Sequence, residues 1–114
     1  MKPVTEYEDY RIYMQDFYNE RKRISSFSWR EFTRASGFTS PTYLKLVCEG
    51  KTRLSPQGAE KVGMAMELAG FELEYFKSMV TYCHAKTDQE RKIAYEAMLE
   101  LASHNKVKIV DGDA

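Results

Sequence analysis

Basic and hydroxyl side chains recur at short intervals between residues 34 and 53 of this chain. Thr42 and Lys45 lie three positions apart, a spacing that puts both on one face of a helix. Such side chains hydrogen-bond to the phosphate oxygens and base edges of nucleic acids. The remaining members of the set are Arg34, Thr39, Ser40, Lys51 and Arg53. The chemistry that this set favours is contact with a nucleic acid.

The charge of the chain is distributed unevenly although its net charge is zero. Residues 21–61 carry nine Lys and Arg against three Asp and Glu. Residues 1–20 carry two against five, and residues 62–114 carry six against nine. The positive excess therefore coincides with the polar set, where contact with phosphate needs it.

Catalytic and metal-binding patterns are absent from the sequence. It contains no G-x-G-x-x-G, G-x-x-x-x-G-K, H-E-x-x-H or G-x-S-x-G motif. Cys48 and Cys83 are far apart and form no C-x-x-C pair, which favours reduced, packed thiols. His84 follows Cys83 directly, and neighbours on a helix point about 100° apart, which suits a shared metal ion poorly. The sequence predicts a protein that is not an enzyme and has no metal or cofactor.

The polar set must be positioned by the segment from Ser28 to Ser55. Ser28 and Glu31 form a capping box that begins a helix, and Gly37 supplies the left-handed conformation that ends it. Ser40 followed by Pro41 is a second start signal. It predicts a second helix from Pro41 to about Glu49, closed by Gly50.

The predicted second helix has one apolar and one polar side. Pro41, Thr42, Lys45 and Glu49 form a narrow polar stripe at 100° per residue. The opposite, inward side holds Tyr43, Leu44, Leu46, Val47 and Cys48. Two short helices around a glycine turn form a helix-turn-helix, here Ser28 to Glu49, whose second helix fits the DNA major groove.

This segment resembles the helix-turn-helix of phage-repressor-like regulators. The likeness lies in the turn Gly37-Phe38 and in the inward positions Tyr43 and Leu46 of the second helix. It extends to the loop after that helix, through Gly50, Lys51, Arg53 and Ser55. Thr33 departs from it, since such motifs often carry a small alanine there. The resemblance implies a double-stranded DNA partner and a symmetric homodimer, with the last two helices as its seam.

Within this scheme each polar residue has an expected role. Thr42 and Lys45 are the candidates for contact with base edges in the major groove. Thr39 and Ser40 anchor the start of the helix on the DNA backbone, and Arg34, Lys51 and Arg53 are the other backbone candidates.

The rest of the chain predicts supporting helices. Helical spacing and caps indicate helices at about 5–23, 56–69, 72–86 and 88–103, with inward residues on the last two that include Leu73, Phe76, Ile93 and Met98. The expected architecture is one all-α domain of five or six helices over residues 1–103. Residues 104–114 are expected to be a flexible tail or a junction, with a strand added to a partner chain as another possibility.

The composition places the chain among soluble proteins. It has no run of 18 uncharged apolar residues, and its first residues lack the pattern of a signal peptide. We therefore expect a cytoplasmic protein that does not enter membranes.

A second resemblance covers nearly the whole chain. The segments Lys2-Pro3-Val4, Asp9-Tyr10-Arg11, Glu74-Tyr75-Phe76 and Ala85-Lys86-Thr87-Asp88, with Phe38 through Lys51, look like the N-terminal part of a family of uncharacterised bacterial paralogues. Those proteins are longer, which implies that this chain is a domain of a larger protein. The resemblance implies the same fold but supplies no operator or activity.

Two functions are consistent with these patterns. The first is a DNA-binding transcriptional regulator that uses the helix-turn-helix. The second is a helical protein–protein interaction module that does not bind DNA. Salt dependence distinguishes them, because binding through several phosphates weakens by orders of magnitude between low and moderate salt.

Overall fold

Residues 1–113 of the chain fold into six α-helices. The computed structural model describes the backbone of residues 1–113 and the side chains of residues 1–104. A 3-10 turn at Val4–Glu6 comes first, followed by α1 Tyr10–Ile24, α2 Trp29–Ala35, α3 Tyr43–Cys48, α4 Pro56–Ala65, α5 Gly70–Cys83 and α6 Asp88–Asp113. No strand occurs in this range. The predicted all-α fold is confirmed.

Helix α1 begins at Tyr10, later than the predicted start at Thr5. The backbone is extended at Tyr7 and Asp9, and the Asp9 carboxylate accepts a hydrogen bond from the N–H of Arg11 at 2.8 Å. This cap satisfies an N–H that has no partner within the helix. Asp9 therefore separates the 3-10 turn from α1. The spacing of the aromatic residues alone predicts one continuous helix over both segments.

Helix α3 is shorter at its start than the sequence predicts. It begins at Tyr43, not at Pro41, and the side chain of Thr42 before it makes no capping hydrogen bond. The N–H of Tyr43 donates to the carbonyl of Ser40 at 3.2 Å. Residues 40–43 thus form a turn with proline in its favoured second position. Ser40 belongs to that turn and does not cap the helix.

The ends of α2 and α3 follow the predicted glycine signals. Gly37 has a φ of +84°, and its N–H donates to the carbonyl of Arg34 at 2.9 Å. The N–H of Phe38 donates to the carbonyl of Thr33 at 3.1 Å. An equivalent pair of hydrogen bonds closes α3, where the N–H of Gly50 donates to the carbonyl of Val47 and the N–H of Lys51 donates to that of Leu46, both at 3.0 Å. This arrangement satisfies carbonyls that have no partner within the helix.

Helix α4 ends at Ala65, before the predicted end near Ala69. The left-handed residue that closes it is Glu67, with a φ of +66°, and not Gly70. Leu68 follows and is buried, which is the apolar contact that often accompanies such a cap. The sequence pattern misses this end because glutamate is seldom found in the left-handed conformation.

Helix α6 runs to Asp113, ten residues beyond the predicted end at Ser103. No proline or glycine lies between Ser103 and Asp111 to interrupt it. The segment predicted as a tail, residues 104–114, is thus helical in its backbone as far as residue 113, and the side chains after residue 104 lie outside the described part. Across residues 1–113, no helix is long and apolar enough to cross a membrane.

The hydrophobic core joins all six helices. Its fully buried larger side chains are Tyr10, Met14, Phe32, Leu44, Val47, Val62, Phe76, Met79 and Met98. Helix α5 packs against both α4 and α6, while α1 packs against α3 and α5. A Cβ on Gly63 of α4 would collide with Leu73 of α5. Glycine there allows α4 and α5 to approach closely.

Two predicted inward residues, Leu46 and Ile93, are not packed into the core, whereas Tyr43 packs against it. Leu44 and Val47, three apart, are the fully buried residues of α3, whereas Tyr43 and Leu46 are only half-buried. In α6 the prediction that Ile93 points inward is wrong, because its side chain is 60% exposed. Hydrophobic periodicity alone defines a broad apolar side of a helix, and the packing of the helices determines which residues on that side are buried.

Thr33 is a buried polar residue on α2 without a hydrogen-bonding partner for its hydroxyl. The side chain is fully buried, and Oγ1 has no partner among the described residues. Burial of an unpaired hydroxyl costs free energy, about 1–3 kcal/mol by mutational measurements.

We expect Thr33→Val to stabilise the fold by about 1 kcal/mol, because a methyl group replaces the unpaired hydroxyl with little change of shape. Urea denaturation followed by circular dichroism measures the change. Thr81→Val is the matched control, since Thr81 is exposed and its hydroxyl already donates to the Lys77 carbonyl at 3.2 Å. A variant at position 33 that is less stable than the control would contradict this account.

Candidate nucleic-acid interface

Helix α2 is held on α1 by aromatic side chains. Trp29 stacks on Tyr18 with ring centroids 3.8 Å apart, and Phe32 packs against Phe17 at 5.3 Å. The Ser28 hydroxyl accepts a hydrogen bond from the N–H of Glu31 at 3.2 Å, as the predicted cap requires. The start and orientation of α2 are therefore fixed by its own cap and by α1.

The turn between α2 and α3 is anchored by Phe38. Its ring packs against Tyr43 at 4.8 Å, and a Cβ on Gly58 of α4 would lie 3.3 Å from it. The Lys61 ammonium sits 5.5 Å above the same ring. Phe38 is half-buried against the core and thus fixes the turn between α3 and the first turn of α4.

Arg11 connects α1 to the carboxyl end of α3. Its Nε donates to the carbonyl of Val47 at 2.8 Å, and Nη2 donates to the carbonyl of Thr52 at 3.1 Å. A cation is favourable at the carboxyl end of a helix, where carbonyls lack partners. The Tyr43 hydroxyl donates to the carbonyl of Arg53 at 2.8 Å. The loop after α3 is therefore held from two sides.

The residues predicted to contact DNA are all exposed. Thr42 and Lys45 lie at the start and in the first turn of α3, and Glu49 lies on the same side at its end. The backbone candidates surround them on α2, on the turn and on the loop: Arg34, Thr39, Ser40, Lys51 and Arg53. The structure places the set on α2, α3, the turn between them and the loop that follows α3. Its contact with DNA stays a prediction.

Most of the cations among these residues have no acidic partner in the part of the chain that the structure describes. Among the described side chains, Arg34, Lys45 and Arg53 have no carboxylate within 4.0 Å, and only Lys51 is paired, with Glu49 at 3.3 Å. Elsewhere on the described surface, four cations have acidic partners, in the pairs Arg21–Glu67, Arg23–Glu20, Lys77–Glu60 and Arg91–Asp88, while exposed lysines such as Lys86 and Lys92 have no such pair. The helix-turn-helix keeps unneutralised positive charge available to an anion.

Two residues beside this set are not identified by the sequence analysis. Arg30 lies four residues before Arg34 on α2, and both line a cleft between α2 and the turn; the i, i+4 spacing of two arginines is the signal that could have identified it. Arg11 has no such signal, because its partners on α3 and the loop are 36 and 41 residues away.

A buried tyrosine and a histidine link α1 to the end of α5. The Tyr10 hydroxyl lies 2.6 Å from Nε2 of His84 and can donate its proton to the neutral ring. The Arg11 guanidinium lies 5.0 Å from the Tyr10 ring centroid. Burial lowers the pKa of His84, the charges of Arg11 and Arg53 lower it further, and Asp9 raises it. The net direction is downward, so the neutral ring is favoured.

The thiols offer little reactivity. Both cysteines are free, and burial raises the pKa of the Cys48 thiol to about 12. Burial also raises the pKa of Cys83. A protonated thiol is a poor nucleophile and metal ligand. Among the described residues, no three His, Cys, Asp or Glu side chains meet in a group able to hold a metal ion.

The C-terminal helices present a mixed surface to a possible second copy. The aromatic and Met residues on which the predicted seam depends are mostly core: Tyr75, Phe76, Met79 and Met98 are buried. Ile93 and Leu99 are the large aliphatic side chains that α6 exposes within the described side chains. They lie on different sides of α6, with Ile93 beside Thr81 and Leu99 beside Tyr75, so a homodimer through these helices would use one of them and not the buried Met-rich face.

No protein-family model, no curated protein and no solved structure matches this chain. The resemblances to repressor-like motifs and to the longer bacterial paralogues therefore stay predictions. What is proposed below depends on the residues and their geometry.

Replacement of Arg11 by Met should loosen the loop after α3. The variant keeps the aliphatic stem but removes two charge-assisted hydrogen bonds, which we expect to lower the free energy of unfolding by about 1–2 kcal/mol. Faster amide hydrogen exchange at residues 47–53 is the diagnostic measurement. Arg23→Met is the control, because Arg23 pairs only with exposed Glu20 and should change little. Unaltered exchange in the Arg11 variant would rule out this role.

Stability should decrease as pH falls, because of His84. A folded-state pKa below the unfolded value means that the unfolded chain binds more protons over the intervening pH range. The contribution is complete above about pH 7 and is lost as pH falls through the folded pKa. The measurement is the difference in unfolding free energy between wild type and His84→Gln from about pH 7.5 to 5. A difference that stays constant, or grows toward low pH, would refute the assignment.

Proposed function

We propose that this protein is a transcriptional regulator that binds double-stranded DNA through α2 and α3, acting in the cytoplasm. The observation that supports it most directly is the exposed face of α3 with its unpaired cations. Lys45 lies at the centre of that face, and Arg34 and Arg53 flank it on α2 and on the loop. Phosphate contacts supply most of the affinity in such complexes, and these charges are free to make them.

The dimensions of the motif suit the major groove. An α-helix with its side chains is about 10–12 Å in diameter, and the groove is about 12 Å wide. Thr42 and Lys45 are presented at the amino end of α3, where recognition helices contact base edges. Ser40 and Thr39 precede them in the turn and extend the contact to the backbone. Lys45 donates to acceptor atoms such as guanine O6 and N7.

Glu49 weakens the proposed interaction of Lys51 with DNA phosphates. Its carboxylate lies 3.3 Å from the Lys51 ammonium and shares the exposed side of α3 with Lys45. For Lys51 to bind a phosphate, the pair must separate, and Glu49 must remain near the DNA. The carboxylate therefore lowers non-specific affinity and leaves a hydrogen-bond acceptor suited to cytosine N4.

A second copy of the chain belongs to this proposal, because two half-sites are needed for tight, specific binding by short helices. Either Ile93 or Leu99 on α6 is available as its contact residue. The exposed side chain of Ile93, which lines a cleft between α5 and α6 with Ala97, favours the second candidate function, a module that binds another protein through α6. That function predicts binding with little dependence on salt.

Lys45→Glu should lower the affinity for a random-sequence duplex by about tenfold or more, because it removes a cation and adds a repulsive charge on the face of α3. Fluorescence anisotropy at two salt concentrations measures it. Glu49→Gln should act in the opposite direction, since it frees Lys51. Lys92→Glu is the control, being an exposed lysine on α6. Equal losses in the Lys45 and Lys92 variants would contradict the placement of α3 in the groove.

A further inference from the structure

The exposed side of α2 and the turn after it enclose a cleft of about 290 Å³. Arg30 and Arg34 of α2 line the cleft together with three residues of the turn, Phe38, Thr39 and Pro41. Apart from Phe38, which is half-buried, these residues are exposed. The cleft therefore combines two guanidinium groups, one hydroxyl and two apolar rings, all accessible from solvent.

The two arginines are electrostatically unsatisfied in the free protein. Among the described residues, neither guanidinium has a carboxylate within 4.0 Å or a hydrogen-bonding partner, in contrast to Arg21, Arg23 and Arg91. Like charges at i and i+4 on a helix repel each other. Lys61, whose ammonium lies 5.5 Å above the Phe38 ring, adds a third positive charge beside the cleft. An anion bound there would relieve this repulsion.

We propose that this cleft binds one phosphate group, held jointly by Arg30 and Arg34. The inference rests on the proposed function, in which that group is a phosphodiester of the DNA backbone. Guanidinium forks match phosphate oxygens in geometry and charge, and the Thr39 hydroxyl supplies a further donor. The site makes Arg30 a functional residue and gives Arg34 and Thr39 one shared target.

The size of the cleft favours a sugar-phosphate unit. Its volume is about ten times the roughly 30 Å³ that a water molecule occupies in the liquid. The deoxyribose of the bound strand packs against Phe38 and Pro41, which are apolar. Since the polar groups lie at the surface, a strand can pass across the cleft without being threaded into it.

The test compares salt dependence in Arg30→Ala, Arg34→Ala and the double variant. The logarithm of the DNA affinity is measured against the logarithm of the salt concentration. If both arginines hold one phosphate, the double variant should lose about 0.9 from the slope, and each single variant much less, since the remaining cation still neutralises the group. The double variant Lys86→Ala with Lys92→Ala is the control, because both lysines are exposed and lie away from the cleft; its slope should not change.

Two results with DNA would overturn the shared site while the proposed function stands. One is an unchanged slope in the double variant. The other is a loss of about 0.9 in each single variant and about 1.8 in the double variant, which means two separate phosphates.

A second arm tests the source of the phosphate. Inorganic phosphate is titrated against chloride at equal ionic strength, and the amide NMR signals of Arg30, Arg34 and Thr39 are followed. Shifts that the double variant abolishes support the cleft as a phosphate site. If those shifts appear but no duplex binds, the site stands, its ligand is a free phosphorylated compound, and the DNA-binding proposal fails. No shifts and no DNA binding would reject both.

Discussion

The hydrogen bonds of Arg11 set the position of α3, and the candidate interface depends on them. The guanidinium reaches from the first turn of α1 to the carbonyls of Val47 and Thr52, so it fixes both the end of α3 and the loop that carries Lys51 and Arg53. A planar group with several donors can serve two carbonyls at once, which a lysine ammonium does less well. Tyr10 beside it is bound to His84 at the end of α5. Two consecutive residues of α1 therefore connect the helix-turn-helix with the C-terminal half of the domain.

Hydrophobic packing supplies the rigid base beneath these polar links. Phe32, Leu44 and Val47 are fully buried, and they face the aromatic side of α1. Such burial is non-directional and scales with area, so it holds the helices together without specifying their exact rotation. The directional part comes from the glycine caps at Gly37 and Gly50 and from Arg11. Thr33 is a destabilising feature of this arrangement, because its hydroxyl is buried without a hydrogen-bonding partner among the described residues.

The electrostatic asymmetry of the surface agrees with the packing. Around the core, the four cations Arg21, Arg23, Lys77 and Arg91 are paired with carboxylates. On the helix-turn-helix, Arg30, Arg34, Lys45 and Arg53 are left without such partners among the described residues, and Lys51 alone is paired. Since isolated surface ion pairs contribute little stability, their absence here costs the fold almost nothing. The free charges therefore remain available for a ligand, which is the basis of both the proposed function and the phosphate site.

The sequence by itself determined the features that depend on neighbours within about four residues. These are the capped starts at Ser28 and Ser55, the glycine ends of α2 and α3, the polar stripe with Thr42 and Lys45, and the all-α class. Each rests on local hydrogen bonds or on helical periodicity, and both can be read along the chain. Tertiary structure decided the later start of α3, the choice of Leu44 and Val47 as its buried line, and the outward position of Ile93. It also decided the left-handed cap at Glu67 and the reach of Arg11 across 36 and 41 residues. Those features depend on which surfaces meet when the helices pack, and no local pattern encodes that geometry.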